Sequence, residues 1–234
     1  MKRNSVLTSI AAAMLLAGCG GGDSTATDSQ SGTSNDGIYL DPTMLSVMLV
    51  DTTRDKYPVI LANYDTSAIL VADSAISSSN SLTTKGITAV EGANGTFVYD
   101  ENIGTTINFA NNSASLDIDI PGYSTTVTME KTADSLQLAD IVGTHTNMND
   151  GSTWTVYEDG SFDVNGQCTI GGRLERKSSY FNITWADATQ CWNSGFDGTY
   201  EYGAIMTVTK DGQSYIAGVI GRSDSMIWGS APIN

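Results

Sequence analysis

"STWTVYEDGSFDVNG", residues 152–166, decides the fold. Trp154 and Val156 alternate with Thr153 and Thr155; Phe162 and Val164 alternate with Ser161 and Asp163. A period of two puts the apolar set on one face of an extended strand and the polar set on the other. Asp159-Gly160 stands between the two runs, and Asp-Gly supplies the positive-φ positions that a tight type I′ turn needs. The stretch predicts a β-hairpin.

The same pattern extends in both directions. In "ASLDIDI" (114–120), Leu116, Ile118 and Ile120 alternate with Ser115, Asp117 and Asp119. "YFNITWAD" (180–187) sets Phe181, Ile183 and Trp185 on one face, so Trp154 and Trp185 are expected in a core. "MTVTK" (206–210) and "SYIAGVI" (214–220) flank Asp211-Gly212, a second hairpin, and Asn94-Gly95 marks a third. Only "DPTMLSVMLV" (41–50) and the N-terminal apolar run have helical character. Pro42 suits a helix start, but Val47, Leu49 and Val50 suit a strand, which is the reading taken. The expected class is all-β: two small antiparallel β-barrel or β-sandwich domains after a disordered tether.

The halves differ in composition. All four tryptophans (154, 185, 192, 228) and two of the three cysteines lie in the second. The polar passage "MEKTADSLQLAD" (129–140) separates them, with the boundary set near 134, giving domains at 38–134 and 135–234. Residues 20–37, "GGGDSTATDSQSGTSNDG", contain no large apolar side chain and are expected to be disordered. As a flexible tether they span about 23 Å r.m.s..

At the N-terminus, Lys2 and Arg3 precede the uncharged run Val6–Ala17. As a helix that run reaches roughly 18 Å, short of the ~30 Å hydrocarbon core, so it reads as a signal-peptide h-region. It ends in Leu16-Ala17-Gly18-Cys19, which resembles the lipobox of bacterial lipoproteins. The resemblance implies a signal peptide at 1–18 and a diacylglycerol and an acyl chain (palmitate) on Cys19, the first residue of a linker at 19–37. With two or more chains, anchoring is stable. Gly20 in place of Asp implies the outer membrane. Lipid on Cys19 then accounts for the odd cysteine count. Cys168 and Cys191 remain as a pair in an oxidising compartment, expected to form a disulfide; free thiols or a metal site are the alternatives. One His and two Cys are too few soft ligands for a familiar metal site, and no cofactor is expected.

Beyond Cys19 the chain carries nine basic side chains against 26 acidic ones, a balance of −17. That acidity argues against nucleic acid and anionic lipid surfaces, allows basic partners, and most simply serves solubility.

Few residues have a chemical signature. His145 is the single histidine, and no G-x-S-x-G elbow accompanies it; it reads as an exposed or capping residue at a strand end. "HTNMNDGS" (145–152) fails the frame of a calcium loop and reads as a turn. Asp117 and Asp119 are about 7 Å apart on one strand face, where solvated carboxylates are ordinary. Trp192, directly after Cys191, either anchors a partner or packs over the bridge. "RLERKSS" (173–179) gathers Arg173, Arg176 and Lys177, which read either as a solvated hairpin tip or as a docking spot for an acidic partner or lipopolysaccharide phosphate.

The second half, "IVGTHT…GSTWTVYEDGSFDVNGQCTIGGRL…YFNITWADATQC", resembles small two-part β lipoproteins of Gram-negative bacteria. The shared pattern is a Gly-Thr opening strand, a D-G hairpin, a G-x-C strand and a second Cys about twenty residues on. Anchor, tether and paired β domains together predict a non-catalytic binding module held at the outer membrane, with a protein or glycan partner. The alternative expectation is an acidic inhibitor of a basic enzyme such as lysozyme.

Overall fold

The computed structural model describes residues 35–92, 96–120 and 123–233. Cys19, the tether and Asn94-Gly95 lie outside them. Nine strands fill the first half: β1 (Gly37–Leu40), β2 (Ser46–Val50), β3 (Val59–Asn63), β4 (Ala68–Ser77), β5 (Ser81–Glu91), β6 (Thr96–Asp100), β7 (Thr106–Ala110), β8 (Ser113–Ile120) and β9 (Tyr123–Lys131). Their order is β4-β3-β2-β1-β9-β8-β7-β5, and β4 also pairs with β5. The ring of eight is therefore closed, an antiparallel barrel with β6 added beside β5.

A one-turn helix, α1 (Leu138–Ile141), precedes the second sheet. Its strands are β10 (Gly143–Thr146), β11 (Thr153–Val156), β12 (Ser161–Asn165), β13 (Thr169–Arg176), β14 (Phe181–Thr189), β15 (Gly198–Tyr200), β16 (Tyr202–Lys210), β17 (Gln213–Arg222) and β18 (Ser225–Pro232). All pairings are antiparallel, in the order β10-β11-β12-β13-β14-β16-β17-β18, with β15 on β14. No strand crosses residue 134, and the described residues form one compact unit.

Three apolar clusters explain which strands alternate and which do not. Met48, Leu61, Leu70, Ile107 and Leu116 fill the closed barrel. Trp154, Phe162, Ile170, Phe181 and Ile216 fill the concave side of the second sheet. The third cluster joins the two sheets: Val47, Leu49, Ile60 and Val71 from the first meet Ala204, Met206, Val208 and Val219 from the second. Strands β2, β3 and β16 are thus buried on both faces, and their sequences "SVMLV", "VILAN" and "YGAIMTVTK" are nearly continuous apolar runs. Strands away from the junction, such as β7 and β12, bury one face and alternate. "DPTMLSVMLV" resolves accordingly, with a strand from Ser46.

The Asp-Gly turns are of two kinds. Asp211 (φ 51°) and Gly212 (φ 80°) form the two-residue loop between paired Lys210 and Gln213, as a type I′ turn requires. At Asp159-Gly160 only Gly160 has a positive φ (81°). Gly160 N–H donates to the Tyr157 carbonyl, and Tyr157 N–H to Ser161, closing a three-residue loop. The hairpin stands, with a different turn.

Trp154 keeps its expected place, and Gly218 on β17 makes room for it: a Cβ there would stand 2.9 Å from the indole ring. Trp185 does not, and is 47 % exposed. A bulge causes this. Arg173 pairs with Trp185 but Leu174 pairs with Ile183, so Thr184 is an extra residue and the alternation reverses after Ile183.

Candidate functional site

The Sγ atoms of Cys168 and Cys191 are bonded, closing the open end of the β13–β14 hairpin. The loop that follows is tied at several points. Asp197 Oδ1 accepts from the Cys191 N–H at 2.9 Å, and Asn193 Oδ1 from the Gly195 N–H at 2.9 Å. Arg222, on β17, donates to the carbonyls of Gly195 (2.6 Å) and Asp197 (2.9 Å). On this braced loop Trp192 is 72 % exposed, with only a tilted contact to Phe196 at 6.3 Å. Trp192 N–H donates to the Gln167 carbonyl beside the bridge, so its backbone is fixed while its indole faces solvent.

Arg176 and Lys177 lie at the other end of the same hairpin, about 25 Å away by strand rise, and Arg173 sits partway along β13. Arg176 donates to the carbonyls of Leu136 (2.6 Å) and Ser135 (2.9 Å) and lies over the Phe181 ring at 4.9 Å. It pins the segment between the two sheets. Lys177 pairs with Glu175 at 2.8 Å, and Arg173 reaches Asp159 at 3.7 Å. The structure does not bring Trp192 together with Arg173, Arg176 and Lys177.

His145 is buried, not exposed, with its Nε2 2.9 Å from the Ile141 carbonyl at the end of α1. It caps that turn from within the wall, opposite Trp154 in the ladder. Residues 147–152 form a turn closed by Asn147 and Asp150 side chains on backbone N–H groups. Asp117 and Asp119 face outward, and Asp117 accepts from Thr126 at 2.7 Å. Among the described residues no group of three or more His, Cys, Asp or Glu is placed to hold a metal ion, and no helix is long and apolar enough to cross a membrane.

A second feature was hidden from the sequence, because it joins residues more than 120 positions apart. A cleft of about 670 Å³ opens between the loop after β2 and the starts of β14 and β16. Arg54 donates to the Tyr180 hydroxyl (3.0 Å) and to Asn182 Oδ1 (3.2 Å). Burial pushes the Tyr180 hydroxyl up to about 12, against the opposing charge of Arg54. Burial also opposes ionisation of Asp51, but hydrogen bonds from Thr53 and Tyr180 and the Arg54 charge outweigh it and hold its carboxyl below the usual range. Tyr57 stacks on Tyr202 at 3.8 Å and has a φ of 60°, directly before Pro58. A bulky residue rarely adopts that backbone, and such strain gathers where a surface must be held in one shape.

No protein-family model, curated protein or solved structure matches the chain.

Proposed function

We propose that this chain is a lipid-anchored binding module of the bacterial outer membrane, with lipid on Cys19 and a protein or glycan partner engaged by the folded body without catalysis. The observation that carries the reading is the presentation of Trp192. An indole 72 % exposed, on a loop braced by a disulfide, Asp197 and Arg222, is a pre-ordered apolar anchor. Little ordering entropy remains to be lost on binding. Leu16-Ala17-Gly18-Cys19 supports the anchor.

Two experiments test the two parts. Cys19→Ser is expected to abolish labelling by radioactive palmitate and release the chain from the membrane fraction; a chain that stays membrane-bound counts against the anchor. A photo-crosslinking amino acid at position 192, in intact cells, is expected to give a discrete adduct that a probe at exposed Met148 does not give. No adduct specific to 192 counts against this loop as the contact. Proteinase K digestion of intact and permeabilised cells reports which face the body occupies.

The balance of −17 beyond Cys19 favours one second reading, an acidic inhibitor of a basic envelope-degrading enzyme such as lysozyme. Salt-sensitive inhibition at low ionic strength is its test.

A further inference from the structure

The outer face of the second sheet, away from its junction with the barrel, carries an ordered array. Ladder register sets it in rows. One row runs from Tyr157, the residue after β11, through Ser161, Arg173 and Trp185 on β12 to β14. The next runs Thr155, Asp163, Gly171, Asp187, Thr199 across β11 to β15. Adjacent strands are ~4.8 Å apart, so the two aromatic residues at the ends of the first row are about 14 Å apart along the sheet, and the two carboxylates of the second about 10 Å.

Tyr157 is 44 % and Trp185 47 % exposed, and it is the bulge at Thr184 that turns the indole outward. Bulges recur where a sheet re-aims a side chain. Asp163 accepts from the Tyr157 hydroxyl at 2.9 Å, and Asp187 from the Thr199 hydroxyl at 2.6 Å. Each carboxylate is thereby oriented while keeping lone pairs for a ligand. Between them Gly171 leaves the sheet floor bare: a Cβ there would meet only Asp163 Oδ1, at 3.4 Å.

We propose that this face binds an extended oligosaccharide. A sugar ring offers an apolar C–H face to an aromatic side chain and a rim of hydroxyl donors to acceptors beside it. Trp185 and Tyr157 supply the first partner, Asp163 and Asp187 the second, and the bare strip at Gly171 lets a ring approach the backbone. A protein-protein interface core is depleted in Asp, whereas here carboxylates stand among the aromatics. The proposal rests on the binding-module reading and names its ligand class.

The test is calorimetric titration of the full chain, in a sugar-free detergent, with cellohexaose, xylohexaose and chitohexaose. At least one is expected to bind saturably. Trp185→Ala and Gly171→Leu should each weaken it about tenfold or more, and Ile76→Ala, at an exposed position on the barrel, by less than about twofold. A Cβ at position 171 meets no backbone, so an unchanged melting temperature of Gly171→Leu separates lost binding from lost folding. Absence of saturable binding by all three at millimolar concentration overturns the proposal, as does binding indifferent to both variants, or a photo-crosslinker at 185 that captures polypeptide in cells. If the oligosaccharides fail while the crosslinker at 192 gives its adduct, the glycan face alone is wrong; if both fail, the binding-module reading falls with it.

Discussion

The Tyr180 hydroxyl donates to Asp51 at 2.8 Å, joining the turn before β14 to the loop after β2 across 129 positions of chain. Arg54 completes the contact by donating to the same hydroxyl. Tyr180 itself is almost fully buried in the cluster that the two sheets share. One side chain thus contributes an apolar ring to the junction and a polar tip to its edge. Tyr180→Phe keeps the ring and removes the tip, leaving a partly buried carboxylate without one donor. The expected loss is about 1.5–3 kcal/mol in urea unfolding at pH 7. A loss near zero would mean that water replaces the hydroxyl.

The pH dependence follows from the same pair. Burial raises the folded pKa of Tyr180 to about 12, against about 10 unfolded. The folded state holds this proton more tightly, so the contribution is complete below about pH 10 and is lost as pH rises towards 12. Asp51 has the opposite sign. Its folded pKa lies below the unfolded value of about 3.9, so its contribution is present at neutral pH and lost as pH falls through the folded value. Urea unfolding across pH, with tyrosinate absorbance in parallel, should show late ionisation and an alkaline fall that is smaller in Tyr180→Phe. An identical alkaline slope in the variant would assign the effect to other tyrosines, such as Tyr202, which burial also raises.

Ser135 tests the seam between the sheets. Its side chain, 2 % exposed, accepts from the Thr207 N–H at 3.0 Å, and Thr207 Oγ1 accepts from the Leu136 N–H at 2.7 Å. Ser135→Ala strands a buried N–H and should cost about 1–3 kcal/mol. Thermal melting is the readout, and a change within experimental scatter would contradict the assignment.

Gly218 tests the packing around Trp154. A methyl group there would press on the indole at 2.9 Å, inside a filled interior. Gly218→Ala is expected to destabilise by about 1–3 kcal/mol and to alter the near-ultraviolet circular dichroism of the indole. An unshifted melting temperature would show that Trp154 can move aside.

Much of this architecture was written locally. The alternation in 152–166 and 114–120 names strands, and both Asp-Gly pairs sit in hairpin turns. The expected pairing of Cys168 with Cys191 rested on the lipobox resemblance, which takes Cys19 out of an odd count, and the two Sγ atoms are bonded. What sequence reading missed depends on non-local facts. Trp185 looked like core because a period of two assumes an unbroken ladder, and the extra Thr184 breaks it. For His145 the capping reading holds and the exposed one does not, and nothing in "GTHT" shows which carbonyl, that of Ile141, it meets. The cleft around Arg54, Tyr57 and Tyr180 needs two sheets in contact before it exists. The uninterrupted apolar runs of β2, β3 and β16 were the available sign of that contact, since a strand at the surface of a lone sheet would alternate.

The disulfide provides the last prediction. Cys168 and Cys191 are 23 positions apart and bound the β13–β14 hairpin, whose interior-facing Ile170, Leu174, Phe181 and Ile183 belong to the second core. Loop closure of this length contributes roughly 3 kcal/mol by the chain-entropy argument. Replacing both cysteines by alanine should lower the urea midpoint accordingly. The Trp192 loop should respond more than the sheet, because Cys191 is one of its anchors while β13 and β14 keep their ladder. Hydrogen exchange separates the two effects: faster exchange confined to 190–198 is expected, with β13 and β14 changing only by the global amount. Uniform acceleration across the second sheet would mean instead that the bridge holds the hairpin itself in register.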